Sequence, residues 1–303
     1  MFKSLLKNKI LIIKYLTLMD NSSYFIKNRA LFGSFPTQDS VLELEDHGIR
    51  YFVDLTDITK EKKISAYITK YTYINYTIDD HSIPDDILSF STFVLKISNI
   101  IKKLNQDERV YIHCRGGHGR SGLVVACILC YIFNLSPHES LNYTTKCHSH
   151  RKNMRDRWRK LGSPQNYNQK KFIYKFFEPV FFYRYNKNLF IQGFSMFSDH
   201  YIETELGTFN LYISYSKHIE KYLKDDKIDD KIKLKIMKNL IKLKLNTFPN
   251  LKNNILNTGF KNIIYVSKED NFWGNGDHNT GENYLGKLLV KIRNEYFEEN
   301  INS

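Results

Sequence analysis

Cysteine is scarce in this chain: four in 303 residues, at positions 114, 127, 130 and 147. So few thiols, at no regular spacing, exclude a disulfide-stapled scaffold and point to a reducing compartment. A second metal-binding cluster is missing too. The run "CHSH" (147–150) has no partner at zinc spacing, so neither a metal nor any other cofactor is expected. Cys127 and Cys130 have C-x-x-C spacing, but they sit inside "LVVACILCYIF" and read as helix core rather than as a redox pair. Long apolar runs are absent as well. The segment "MFKSLLKNKILIIKYLTLMD" is broken by Lys3, Lys7, Lys9 and Lys14, and no run reaches the ~18 residues of a membrane span. It lacks a small-residue cleavage site, which argues against secretion. Residues 1–19 read as an amphipathic lead-in, or translation starts downstream at Met19. No internal repeat is visible. The expected location is the cytoplasm, a host cell's if the gene is viral.

What is present describes a folded protein of two domains. Hydrophobic content is 42% and charged content 25%, ordinary globular values. The net charge of +13 fits an acidic partner such as a phosphate compound, a nucleic acid or an anionic surface. A bias toward Lys, Asn, Ile, Tyr and Phe, as in AT-rich coding sequence, explains the charge equally well. Acidic residues are interspersed nearly everywhere, which argues against one dedicated basic face.

Three segments, "RALFGSFP", "IRYFVDLT" and "YTYINYTI", read as buried strands, and "DSVLELEDHG" as a short helix ending at glycine. In "DDILSFSTFVLKISNIIKKLN", Ile87, Phe90, Val94, Ile97, Ile101 and Leu104 recur at three- and four-residue steps, one face of a helix. "RVYIHC" is the next strand and "SGLVVACILCYIF" the next helix. Ser136, Pro137 and Glu139 form a capping box that opens another. Strands alternating with helices predict an α/β domain over 20–178 with a mostly parallel central sheet flanked by helices. Further on, "IDDKIKLKIMKNLIKLKL" spaces Ile228, Ile232, Ile236 and Leu240 four apart, beside Met237 and Ile241. It predicts a helix with a solvated lysine-rich outer face. "ENYLGKLLVKIRNEYF" is the last helix.

The most informative stretch is "VYIHCRGGHGRSGLVV" (110–125). Read as strand, loop and helix, it places Gly116, Gly117 and Gly119 where backbone N–H groups converge on an anion at a helix N-terminus. Cys114 stands there beside Arg115 and Arg120, a setting that favours the nucleophilic thiolate. Arg120 offers a planar fork for two phosphate oxygens. These parts suit phosphoryl transfer through a covalent thiophosphate.

"HCRGGHGRS" resembles the signature of the cysteine-dependent protein phosphatases, above all the dual-specificity branch: His-Cys, five residues, Arg, then Ser or Thr. The likeness extends weakly over 20–178, including "GSFP" and "RKNMRDRW…SPQNYNQKKFI". It implies Cys114 as nucleophile and Arg120 as phosphate clamp. Ser121 would assist thiolate release, and His113 would orient the cysteine. Arg115, Gly116, Gly117, His118 and Gly119 would form the cradle. A general acid is implied on an upstream loop. In "YTIDDHSIPDD", Asp80 stands four residues before Pro84, with Asp79 the alternative, and either also suits a cap or turn. Gln169 or Gln165 would position the hydrolytic water, or lie inertly at the surface. The implied substrate is a phosphoprotein or another phosphorylated anion. RNA 5′-triphosphate and phosphoinositide chemistry remain open.

Beyond residue 180 the pattern changes. "KEDNFWGNGDHNTGENYLGKLLVKIR" (268–293) holds Trp273 in a glycine loop before a helix, either a base-stacking platform or a core tryptophan in a turn. The stretch resembles the carboxy-terminal motif of the NADAR (YbiA-like) N-glycosidases in Asp270, Trp273, Gly274, Gly281, Asn283, Leu285, Gly286 and Arg293. "GFSMF" and "NLKNNILNTG" add weaker likeness, and the whole spans 183–297. The resemblance implies a second, smaller, helix-rich domain. Asp270 would be its catalytic carboxylate, with Trp273 and Asn283 binding substrate. Family members cleave N-glycosidic bonds of ribosylated bases, either riboflavin-pathway intermediates or ADP-ribosyl-guanine. This chain departs from them where a glutamate is expected, with Asn210 or Lys217 in its place. A family tryptophan before the helix containing Met237 is also absent. An active glycosidase and a degenerate module that binds ADP-ribose or a nucleotide both stay open.

Overall fold

The computed structural model describes residues 21–222 and 228–302; the lead-in at 1–19 lies outside them. The chain divides after Phe176 into two compact units.

The first unit is an α/β layer structure built on a five-stranded sheet in the order β1-β2-β5-β3-β4. The strands are β1 (Ser22–Ile26), β2 (Ala30–Ser34), β3 (Ile49–Asp54), β4 (Thr72–Asn75) and β5 (Arg109–Cys114). β2, β5, β3 and β4 run parallel, and only β1 is antiparallel. The core strands are near-continuous apolar runs because helices cover both faces of a parallel sheet. β1 is a fully buried strand that sequence reasoning missed. β4 differs from expectation in the opposite sense: it is a strand but mostly exposed, because it forms the sheet edge.

Around the sheet pack α1 (Gln38–Asp46), α2 (Ile87–Lys103), α3 (Arg120–Phe133), α4 (Pro137–Ser149), α5 (Asp156–Leu161) and α6 (Tyr167–Phe177). Asp86 caps α2 by accepting the Leu88 N–H, and Phe90, Val94, Ile97 and Ile101 are buried as the periodicity predicts. α3 is apolar nearly all round because it is buried from Arg120 to Cys130, between α2 and α4. Cys127 and Cys130 lie in that core, where burial raises both thiols, Cys130 to about 11. The Ser136–Glu139 capping box opens α4 with both reciprocal bonds formed.

The second unit pairs β6 (Val180–Phe182) in parallel with β9 (Ile263–Tyr265), and carries a hairpin of β7 (Ile202–Thr204) and β8 (Gly207–Phe209). The helices are α7 (Leu189–Gln192), α8 (Leu211–Glu220), α9 (Asp230–Thr247), α10 (Pro249–Leu256) and α11 (Tyr284–Asn302). α11 lies against β9, and Gly286 permits this: a Cβ there would stand 2.0 Å from the Ile263 carbonyl oxygen. The buried face of α9 is Met237, Leu240, Ile241, Lys244 and Leu245, while Ile232 is exposed. The expectation that all its lysines are solvated therefore fails at Lys244. Its ammonium donates to the carbonyls of Gly193 and Ser195 and to Ser198 Oγ, so the "GFSMF" turn supplies the polar partners that let a lysine enter the core. No helix among the described residues is long and apolar enough to cross a membrane.

Candidate active site

β5 ends at Cys114, paired with Ser34 at the end of β2, and α3 starts six residues later. The loop between them therefore opens at the carboxyl edge of a parallel sheet, where ligands of such sheets bind. Gly117 has φ +72, and a Cβ there would lie 2.4 Å from the Gly33 carbonyl carbon; only glycine lets the loop fold this tightly onto β2.

One cavity of about 220 Å³ is lined by Cys114, Arg115, Gly116, His118, Gly119, Arg120, Asp80, Gln165 and Gln169, together with His81 and Trp158. Residues far apart in the chain thus meet around one thiol. Asp80 Oδ1 lies 3.0 Å from Arg120 Nη2, and Asp80 Oδ2 lies 2.7 Å from Arg115 Nη2. Asp79 does not line this cavity; it is exposed and paired with Lys60 at 3.1 Å. Gln169 donates to the Ser82 carbonyl, and its Oε1 is buried with no hydrogen-bond partner among the described residues. The Oε1 of Gln165 is likewise without one.

Behind the thiol, Cys114 Sγ lies 3.6 Å from Ser121 Oγ. His113 is fully buried between Tyr67, whose hydroxyl is 2.7 Å from Nε2, and Asp54, whose Oδ1 is 3.6 Å from Nδ1. Burial pushes this imidazole down to about 4, against the opposing pull of Asp54, so it is neutral at pH 7. Asp54 is occupied by Thr56 N, Thr56 Oγ1 and the Tyr73 hydroxyl.

Sequence reasoning missed His81 and Trp158 in the cavity wall, Tyr67 and Asp54 around His113, and two further residues that hold the site together. Glu61, on the loop after β3, grips Arg120 with Oε1 at 2.5 Å from Nη1 and Oε2 at 3.1 Å from Nη2. Nη1 also donates to the Ile78 carbonyl. Arg151 is buried and donates to Gly117 O at 2.7 Å, Phe32 O at 2.9 Å and Ser23 Oγ at 3.3 Å, tying the loop to β1 and β2. It has no carboxylate partner among the described residues. Burial lowers it to about 10, which leaves it charged. No local pattern marks either residue, since each acts through contacts remote in sequence.

In the second unit, Asp270 Oδ1 accepts the backbone N–H groups of Phe272 and Trp273 and shapes the turn. Trp273 is half-buried, with edge contacts to Tyr215 and Phe272. The Asn283 amide is spent on β9, accepting from Tyr265 N and donating to Ile263 O. Asn210 caps α8 by accepting the Ile213 N–H, and the Lys217 ammonium lies 4.8 Å from the Phe209 ring centroid.

A cysteine and arginine converging on a glycine cradle at the carboxyl edge of a parallel sheet define a phosphatase-like α/β domain, here followed by a second, helix-rich unit. Comparison with known proteins agrees. The family described as "Polymorphic toxin system, DSP-PTPase phosphatase" matches residues 29–133, and the NADAR domain matches 142–296. The "Putative tyrosine phosphatase 197R" of Invertebrate iridescent virus 6 is 30% identical over 272 residues, 89% of each chain. "Putative tyrosine phosphatase 067L" of Invertebrate iridescent virus 3 is 39% identical over 160 residues, 52% of this chain and 66% of that protein. Among solved structures, Tk-PTP in its active form aligns with a TM-score of 0.41 at 18% identity, covering 52% of this chain and 96% of that one. The chain belongs to the family in which a dual-specificity or protein-tyrosine phosphatase domain is joined to a NADAR domain.

Proposed function

We propose that the first unit hydrolyses phosphate monoesters of proteins through a cysteinyl-phosphate intermediate. The observation that carries this is the meeting of Cys114, Asp80 and Arg120 in one cavity, with Asp80 3.0 Å from Arg120. The incoming phosphate takes its place on the loop amides and on Arg120, and so releases Asp80 from that guanidinium. The Cys114 thiolate forms a bond to phosphorus as the ester P–O bond breaks. Asp80 gives its proton to the departing oxygen. Gln169, through its unspent Oε1, then orients a water that attacks the cysteinyl phosphate. Asp80 takes the water's proton, and Ser121 supports the returning thiolate. The names of the viral relatives favour phosphotyrosine among the substrates. Four free cysteines fit work in a reducing compartment, the cytoplasm. The test is turnover of para-nitrophenyl phosphate by the full chain. Activity is expected, with its loss in Cys114→Ser and Arg120→Lys; a Cys114→Ser chain that turns over at the wild-type rate removes the mechanism.

For the second unit we infer a module that binds an ADP-ribose or nucleotide ligand without cutting it. Asp270 is engaged in its own turn, and the place of the family's glutamate falls to a helix cap or to a lysine over an aromatic ring. An oxocarbenium-like transition state then lacks its second carboxylate. Calorimetry with ADP-ribose beside a base-release assay tests this: heat without release is the expected result, and base release overturns it.

A further inference from the structure

Asp80 sits in a turn closed by the Ser82 N–H, which donates to the Asp79 carbonyl at 3.0 Å, with Asp80 and His81 at the two central positions. His81 has φ +62, a left-handed conformation that a residue with a Cβ keeps where its surroundings hold it. The side chains that hold this turn belong to the segment 163–169, which leads into α6. Asn166 donates through Nδ2 to the His81 carbonyl at 2.9 Å, and Gln169 donates through Nε2 to the Ser82 carbonyl at 2.9 Å. The same segment also reaches the cysteine loop, where Ser163 Oγ donates to the His118 carbonyl at 2.7 Å. A short stretch of chain therefore bonds both the turn that carries Asp80 and the loop that carries Cys114.

The ion pairs of Asp80 cannot keep it in place as a proton donor. They hold its carboxylate, 2.7 Å from Arg115 and 3.0 Å from Arg120. An acid must carry a proton to give one away, and a neutral carboxyl lacks the charge that makes those pairs strong. The incoming phosphate takes Arg120 as well. The bonds to the His81 and Ser82 carbonyls need no charge on Asp80 and survive both changes. We propose that Asn166 is the positioning residue of the general acid. It fixes the turn through the His81 carbonyl, and so keeps Asp80 aimed at the departing oxygen once the arginines have released it. This rests on the phosphatase reading above and on Asp80 as its acid. Gln169 supports the turn from the buried side.

Asn166 also has a purely structural bond: its Oδ1 accepts the Asn168 N–H at 2.8 Å and caps the start of α6. Substitution separates the two roles. Aspartate and serine cap a helix about as well as asparagine, but an aspartate carboxylate has no donor and the serine hydroxyl is on a shorter arm. In the full chain, Asn166→Asp and Asn166→Ser are each expected to lower kcat for an alkyl phosphate by about 10–100-fold, the worth of a small misplacement of a catalytic group. KM is not raised, because the phosphate cradle is untouched. Para-nitrophenyl phosphate, whose leaving group needs little protonation, loses much less. In an Asp80→Asn background neither substitution slows the alkyl phosphate further, since no acid is left to misplace. Wild-type kcat on the alkyl phosphate, equal losses on the two substrates, a further loss in the Asp80→Asn background, or a loss confined to Asn166→Asp each overturn the assignment. Failure of the underlying reading shows separately. Absence of para-nitrophenyl phosphate turnover in the unsubstituted chain removes the phosphatase, and an Asp80→Asn chain with full rate on the alkyl phosphate removes the acid.

Discussion

Glu61 holds both terminal nitrogens of Arg120, at 2.5 and 3.1 Å, across 59 residues of sequence. The pair fixes the plane of the guanidinium before any phosphate arrives. Asp80 makes one further contact with the same group, at 3.0 Å, and is also held by Arg115. On the proposed mechanism, substrate binding is an exchange of anions. The phosphate replaces Asp80 while Glu61 keeps the fork in position.

Removal of that support lowers catalysis without removing the fork. Glu61→Ala is expected to reduce kcat/KM for para-nitrophenyl phosphate by about 10–100-fold, the worth of hydrogen bonds to a charged group. Glu61→Gln retains one bonded oxygen and falls less. Steady-state kinetics of both variants, with circular dichroism to confirm folding, checks the order. Equal rates for wild type and Glu61→Ala contradict the role.

The assignment of the acid separates two adjacent aspartates. Asp80→Asn is expected to slow hydrolysis of an alkyl phosphate by about 10²–10⁴-fold, the usual worth of a positioned acid. Release of para-nitrophenolate, which needs little protonation, suffers less. Asp79→Asn leaves both rates unchanged, because its carboxylate lies with Lys60 outside the cavity. Initial rates on the two substrates decide between them.

Acid weakens the first unit through its buried histidines. His113 and His118 are pushed down to about 4 and His148 to about 2 by burial, so the native state holds them neutral. An unfolded histidine takes up its proton near pH 6.5. Below that value the unfolded chain binds more protons than the native one, so stability falls as pH drops from about 6.5 toward 4. Urea midpoints read from Trp158 fluorescence in a Trp273→Phe background should fall across this window. His148→Gln should flatten the slope.

The parts of this protein that were legible in its sequence are local. The run from Val110 to Val125 is a strand, a tight loop and a helix in uninterrupted order, and glycine, cysteine and arginine carry their meaning in the spacing. Ser136 and Glu139 announce their helix by the same logic. The illegible parts are tertiary. Glu61 sits in a loop without periodicity and matters only because the fold brings Arg120 to it. Tyr73 looks like a core strand residue, yet it is half exposed because β4 is an edge, and only its hydroxyl reaches the buried Asp54. Asn283 reads as a ligand contact but spends its amide on β9. In α9 the four-residue apolar spacing starts one turn early, and the true face includes a lysine whose partners come from another segment.

That lysine gives the second unit a pH response with the same cause and sign as that of the first, in a higher pH window. Burial pushes the Lys244 ammonium down to about 7, while an unfolded lysine holds its proton to about pH 10.4. Between those values the unfolded state binds more protons than the native state, so the second unit gains stability as pH rises from about 7 toward 10.4. Denaturation followed by Trp273 fluorescence in a Trp158→Phe background should show rising urea midpoints over that interval. Lys244→Met removes the titration and should abolish the rise. It also strips a donor from Gly193 O, Ser195 O and Ser198 Oγ; Ser195 O still accepts from Ser198 and Ser198 Oγ keeps His200 beside it, so the cost of about 1–3 kcal/mol for an unpaired buried acceptor falls on Gly193 O. Deletion of the charge and loss of the bonds act in opposite directions on the absolute midpoint. The diagnostic is therefore the slope: a Lys244→Met chain whose midpoints still climb above pH 7 shows that another group titrates there.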